Sequence, residues 1–316
     1  MKPNKPQVDL RLAALRRFAL AITVFNIVGR TWFGFEGAWA QVFVALFTAY
    51  SLEIIFEIID SKQRNHKPRF LGGFIPFINF LLPAHIGALA ISMLLYATDR
   101  LLPYAFAASI MILSKYIFTA PGARGPRHFL NPSNTGIVIT AILFPSLQIT
   151  VPYQFTENLR GFENLLLPLL IIGTGSFLNY FLTLRMPLIL AWVSGFAVLG
   201  LLRALVFGFE PLTGIMMMSG VAFVLFTFYM ISDPGTTPST RRGQIIFGLS
   251  MAAAYHAWVM LHQPFAAFYA LLIVCSMRGL LLNVEAWLKN RKSRVEAPAS
   301  ESGGALSPTA VSKQAR

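Results

Sequence analysis

Long runs of apolar residues, broken by short polar loops, make up almost the whole chain. A helix needs about 20 mostly apolar residues to cross a bilayer core. On that measure ten segments stand out, near residues 17–35, 38–59, 79–98, 102–120, 134–150, 163–184, 187–207, 212–231, 244–262 and 265–287. Most of the loops between them are short, which favours one bundle over separate domains. The pattern predicts an all-α integral membrane protein of about ten transmembrane helices over residues 1–289. From 290 to 316 the apolar bulk disappears in favour of Glu296, Pro298, Ser300, Glu301 and a Gly-Gly pair, so that stretch is expected to be a disordered cytoplasmic tail. The apolar run behind the basic N-terminus is long and lacks a small-residue cleavage site, and it is expected to be a retained first span.

Composition sharpens this picture. Hydrophobic residues make up 55% of the chain and charged residues 12%, with a mean hydropathy of +0.61. Ordinary chains carry about 25% charged residues, so this is not a soluble composition. The net charge of +13 lies in short clusters between apolar runs rather than in a basic domain, which argues against nucleic acid as a partner. With the N-terminus cytoplasmic, 20 of the 26 lysines and arginines fall on the inner side, and only Arg100 and Arg160 fall in outer loops. That bias predicts an even number of spans, both termini in the cytoplasm, and a multi-pass protein of the cytoplasmic (inner) membrane. The single cysteine, Cys275, lies within an apolar run and offers neither a disulfide nor a thiolate-ligated cluster.

Ionisable residues inside spans are costly and mark candidate sites. Glu53 and Glu57 are one turn apart on the second span, with Asp60 at its end. Glu53 is a candidate for an ion pathway, whereas Glu57 and Asp60 are expected at headgroup level, paired with Lys62 or Arg64. Lys115 either snorkels to the inner surface or holds an anionic group on a ligand. Snorkelling suffices for Arg30, Arg203 and Arg278. His85 and His256 lie well inside spans, but no spacing makes them a haem pair. Asn179 belongs to a small, polar stripe with Gly173, Thr174, Gly175 and Ser176. That stripe reads first as helix packing, and as part of a pathway if the protein transports.

Two loops rise above this background. One is Asn131-Pro132-Ser133-Asn134-Thr135-Gly136, in which Asn134 or Ser133 is expected to cap the fifth span. The other runs from Ile231 through Asp233-Pro234-Gly235-Thr236-Thr237-Pro238 to Arg241-Arg242-Gly243, where Ser239 or Thr240 is expected to start the next helix. Helix N-termini, hydroxyls and nearby arginines suit an anionic ligand such as a flavin phosphate. Both loops fall on the predicted cytoplasmic side.

These motifs resemble the membrane-subunit family that includes RnfD, of the Rnf electron-transport complex, and NqrB, of the sodium-pumping NADH:quinone reductase. Asn131 to Gly136 is similar to the family's Asn-Pro-Ala-x-x-Gly, with Lys115 upstream. Leu184-Arg185-Met186-Pro187 is similar to its Trp-Arg-Ile-Pro. Met230 to Pro238, with Arg242 to Gly248, resembles its Asp-Pro stretch. The Gly-Thr-Thr-Pro variant is closest to the UnbU-like branch found in enediyne biosynthesis. The resemblance covers about residues 79–285 and implies a ten-helix bundle that carries flavin and moves electrons, in some members with ions. The family's covalent flavin sits on a threonine motif expected near residues 150–165, and this chain has none there, so a non-covalent FMN or riboflavin is expected. Lys115, Asn131, Asn134, Asp233, Thr236, Thr237 and Arg242 are its candidate ligands. Partners implied are the lipid bilayer, redox proteins or sister membrane subunits, and a quinone. A permease or efflux component without redox cofactor, with Glu53 and Asn179 on its pathway, is the alternative. A scaffold subunit anchoring soluble partners is the third.

Overall fold

The computed structural model describes residues 10–122, 125–149 and 155–296. The remainder of the expected tail and Thr150 to Gln154, part of the stretch searched for a flavin threonine, lie outside the described residues.

Among the described residues ten α-helices follow one another, each overlapping one of the ten apolar runs. They are α1 (Leu10–Val28, continued as a π-helix through Gly29–Phe33), α2 (Trp39–Gln63), α3 (Phe74–Leu94), α4 (Leu102–Ile117), α5 (Pro132–Leu143), α6 (Glu163–Phe177, π through Leu178–Leu182), α7 (Met186–Phe207), α8 (Val221–Leu225, π through Phe226–Met230), α9 (Arg241–Met260) and α10 (Ala266–Glu296). α10 therefore stays helical past residue 290, where the sequence suggests a tail. Among the described residues six helical segments are long and apolar enough to cross a membrane: Arg11–Phe33, Trp39–Gln63, Phe74–Leu94, Glu163–Leu182, Met186–Phe207 and Ala266–Lys292. Their outer faces are apolar. Phe47 is 75% exposed and Val206 76%, as side chains that meet lipid rather than water would be. This is a multi-pass helical membrane protein.

The other four helices depart from the full-length pattern. α5 has 12 residues, about 18 Å at 1.5 Å per residue, against a bilayer core of about 30 Å. The apolar run 134–150 breaks after Leu143, and Gln148–Ile149 pairs antiparallel with Leu95–Tyr96 at the far end of the bundle. α4 has 16 residues, and the run 212–231 is divided into two short 3-10 turns and the ten residues Val221–Met230. α9 has 20 residues but is less apolar, carrying Arg241, Arg242, Gln244, Ser250 and His256. Broken and short helices are tolerated at membrane depth where they are buried in protein or line a cavity.

Packing repeats. α1 packs on α3, α2 on α3 and α4, and α4 on α5; correspondingly α6 packs on α8, α7 on the π end of α8 and on α9, and α9 on α10. The two five-helix halves meet where α1 touches the π end of α6 and where α5 touches α10. Without a water-driven hydrophobic effect between helices in lipid, such contacts depend on close approach over small residues. Gly136 shows it. A β-carbon there would stand 2.4 Å from the Ala107 carbonyl oxygen on α4, a backbone atom that cannot move alone. Gly136→Ala is expected to push α5 off α4 and cost about 1–3 kcal/mol in thermal unfolding in detergent. An unchanged melting temperature would count against this packing.

Candidate functional site

Both singled-out loops arrive at the same place. Asn131 stands just ahead of α5 with Pro132 at the first helical position, where the missing N–H is no loss. Its Oδ1 accepts from the Asn134 backbone N at 3.0 Å and from Ser133 Oγ at 3.0 Å. The cap of α5 is thus Asn131 itself, not Ser133 or Asn134, because the extended backbone before proline puts Asn131 in the capping geometry. Asn131 Nδ2 then donates to the Met230 carbonyl at 3.2 Å, tying the first loop to the second. Thr240 caps α9 as expected, accepting from Gly243 N at 3.2 Å.

Asp233 organises the second loop. Its Oδ1 accepts from Gly235 N at 2.9 Å and its Oδ2 from Thr236 Oγ1 at 3.1 Å, while its own carbonyl accepts from Thr237 Oγ1 at 2.6 Å. Two arginines brace the turn from outside. Arg185 Nε donates to Thr237 Oγ1 at 3.0 Å, and Arg278 Nη1 to the Thr236 carbonyl at 3.0 Å. Arg278 therefore supports this loop instead of snorkelling.

Two π-helical ends press against it. Asn179 Nδ2 donates to the Gly175 carbonyl at 2.9 Å and across to the Phe228 carbonyl at 2.8 Å, and Ser232 Oγ also donates to Phe228 at 2.6 Å. These side chains add donors to carbonyls at the widened turns. Gly175 permits the contact, since a β-carbon there would lie 2.5 Å from Phe228 Cβ.

Together these elements enclose a cavity of about 430 Å³. Its wall is apolar and aromatic, with Phe18, Phe25, Phe226, Phe228, Tyr229 and Phe268. Its polar lining residues are Arg11, Lys115, Arg127, His128, Asn131, Ser133, Asn179, Thr183, Arg185, Ser232 and Asp233, with the backbone of Gly235. Size and lining are those of a small-molecule site, in which an apolar body is held by a few polar groups.

Of the residues the sequence marks, Lys115, Asn131, Asp233 and Asn179 line the cavity. Thr236 and Thr237 are buried beneath it as part of the turn. Asn134 is also buried behind it, donating to the Phe268 carbonyl at 2.9 Å. Arg242 is exposed in the first turn of α9 and does not line the cavity. Arg127 and Arg185 line the cavity instead. Neither is singled out by the sequence pattern as a ligand, since both read there as charges that orient the chain. Arg185 is only 7% exposed. Burial lowers its affinity for its proton, and the Asp233 charge acts in the opposite direction.

Lys115 Nζ lies 2.6 Å from each oxygen of Glu53, with the carboxylate 5% exposed and the lysine 16%. Lys115 thus neither snorkels freely nor stands alone, and Glu53 stands behind it outside the cavity lining. Glu57 corrects an expectation outright. It does not pair with Lys62 or Arg64 but is fully buried, accepting from Arg69 through the arginine's backbone N (2.7 Å), Nε (2.7 Å) and Nη2 (2.6 Å). Asp60 does pair with Arg64, at 2.8 Å. Arg30 is tied inward, to Asn26 Oδ1 at 2.6 Å and the Ser92 carbonyl at 2.8 Å. His85 and His256 serve separate contacts, His85 with Thr23 and Tyr50, His256 with the Phe196 carbonyl.

His128, unremarkable in the sequence, sits at the cavity rim in a short strand paired to Thr119–Ala120. Burial holds its imidazole below the usual range. Lys115 and Arg127 push the same way, while Asp233 and the Leu130 carbonyl oppose them. Among the described residues no group of three His, Cys, Asp or Glu side chains is placed to hold a metal ion. No protein-family model matches the chain, and no curated protein matches it.

Proposed function

We propose that this chain is a membrane electron-transfer subunit of the RnfD/NqrB kind, binding a flavin non-covalently in the cavity between the two polar loops. One observation carries the reading: an aromatic-walled cavity brings Asp233 together with Lys115, Arg127 and Arg185. A flavin mononucleotide has the matching halves, a flat, largely apolar ring system and an anionic phosphate. Arg127, Arg185 and Lys115 would hold the phosphate. The aromatic wall would flank the ring, and Asn131, Ser232 and Asp233 would orient its polar edge. When bound, the flavin supplies one- and two-electron chemistry. The chain's own residues bind it, keep bulk water from its apolar part and fix its charge.

The basic bias of the sequence supports a cytoplasmic position for this end of the bundle and for both termini, in a bacterial inner membrane. Soluble redox proteins or sister membrane subunits would approach there, and a quinone would come from the lipid. A permease that kept the bundle without the cofactor is the second reading, favoured by Asn179, which lines the cavity. Glu53 does not line it, so it supports this reading less.

The test is an absorbance spectrum of protein purified in detergent from flavin-replete cells, before and after acid precipitation. Flavin released to the supernatant supports the proposal, and flavin left on the pellet shows a covalent bond instead. A colourless protein favours the permease. In the flavin-bearing case Asp233→Ala is expected to lower bound flavin roughly tenfold or more, since hydrogen bonds to a charged group contribute about 1.5–3 kcal/mol. Arg242→Ala, outside the cavity, should leave it unchanged. Equal loss in both would remove Asp233 from the site.

A further inference from the structure

We propose that His128 takes up a proton when an anionic ligand enters the cavity, so that ligand binding here is proton-coupled. The inference rests on the anion-binding reading of the cavity given above.

The geometry fixes the ring's starting state. His128 Nδ1 lies 3.1 Å from the Leu130 carbonyl oxygen. A carbonyl only accepts, so Nδ1 carries the hydrogen and Nε2 is left as the ring's basic nitrogen. The strand pairing of Arg127–His128 with Thr119–Ala120 holds the backbone, and His128 lines the cavity. The ring packs against the Asp233 turn, where a β-carbon on Gly235 would stand 3.2 Å from His128 Cε1. An imidazole so placed, with one nitrogen anchored and the other free, can gain a proton without losing its existing hydrogen bond.

The surrounding charges decide when it does so. Facing His128 are Asp233 from the loop before α9, Lys115 from α4 and Arg127 from its own strand. Arg185, at the head of α7, shares the cavity. Glu53 stands behind Lys115 and already neutralises that ammonium in part. With the cavity free of an anion, Lys115 and Arg127 disfavour a further positive charge, and Asp233 is the one cavity-lining carboxylate on the other side of the balance. An anion among these groups offsets both cations and favours the imidazolium, because opposite charges within a few ångströms stabilise the charged form. The proton comes from solvent at the cavity mouth, and it returns there when the ligand leaves. No other bond is made or broken.

Linkage gives the sign. A proton taken up on binding makes binding tighter at low pH and weaker as pH rises, by up to about tenfold per pH unit per proton. The experiment is calorimetric titration of the detergent-purified full chain with flavin mononucleotide, in two buffers of different ionisation enthalpy. Near pH 7.5 the free phosphate, with a second pKa of about 6, is already almost fully ionised and contributes little uptake of its own. The wild-type protein is expected to take up a sizeable fraction of one proton per flavin, and inorganic phosphate, which is itself only partly in its doubly charged form at this pH, serves as a probe of anion binding alone. His128→Gln should bind the flavin within a few-fold of wild type, take up no proton and lose the pH dependence. Binding without proton uptake in the wild type overturns the inference and leaves the cavity reading standing, and this needs no variant. Uptake that persists in His128→Gln but disappears in Glu53→Gln also overturns it. No binding of flavin or phosphate overturns both.

Discussion

Lys115→Ala is expected to destabilise the folded protein by about 3–5 kcal/mol, the usual consequence of removing one partner of a buried ion pair. The reason lies in what remains. Glu53 is 5% exposed and its two oxygens share the Lys115 ammonium at 2.6 Å, so deletion of the lysine leaves a largely buried carboxylate with its strongest partner gone. Removing both charges together is a different experiment. Glu53→Gln with Lys115→Met keeps the volume and leaves no buried charge, and replacements of that kind are often neutral. The double variant should therefore recover most of the stability the single variant loses. Thermal unfolding in detergent, followed by circular dichroism, checks both. If the single and double variants melt alike, the pair does not govern stability. Flavin content should behave otherwise. The double variant also lacks a cavity cation, so its binding should stay weakened even where its fold is restored.

Asn131→Ala is the second large effect, expected to cost about 2–4 kcal/mol. It removes the cap on α5, which is commonly about 1 kcal/mol. It also removes the shorter of the two hydrogen bonds to the buried Met230 carbonyl, which keeps only Asp233 N at 3.4 Å, and the acceptor of Ser133 Oγ, together a further penalty of about 1–3 kcal/mol. Because Asn131 is the hydrogen-bonded tie between the two loops, the same change should loosen the cavity and lower bound flavin along with stability. Asn131→Asp separates the two contributions. The aspartate keeps the capping oxygen but cannot donate to Met230, so it should restore the cap while the loops stay untied. A melting temperature as low as that of the alanine variant would show that the cap contributes little and the tie nearly everything.

Several features follow from local pattern. Apolar runs of the right length become helices in lipid because the backbone must bond internally wherever water is missing. The polar interruptions at Asn131-Pro132 and Asp233-Pro234-Gly235 become loops for equally local reasons, a lost N–H donor and a turn-forming glycine. Thr240 as the cap of α9 belongs to the same class. These depend on neighbours within a few residues, which a linear reading contains.

Partners distant in sequence were decided elsewhere. Lys115 finds Glu53 62 residues away, and Arg69 finds Glu57 across a loop, because only the folded bundle sets α2 against α4 and turns the loop after α2 back onto it. Read along the chain, Glu57 has Asp60, Lys62 and Arg64 as near neighbours, and a headgroup pairing looks sufficient; in the fold it is sealed from solvent and commits to Arg69. The apolar run 134–150 gives no sign that its helix ends at Leu143, since hydropathy counts side chains and not the strand pairing that takes Gln148–Ile149 to the far end. The cavity's cations show the same division. Arg185 and Arg127 look like topology signals in a line of residues, and Arg242 looks like a ligand because it follows the Asp-Pro loop. The sequence by itself determined a helical membrane protein with two polar loops worth attention. Only the tertiary structure decided that the loops share one cavity and which charges face it, because charges buried in low dielectric pair by distance in space and not along the chain.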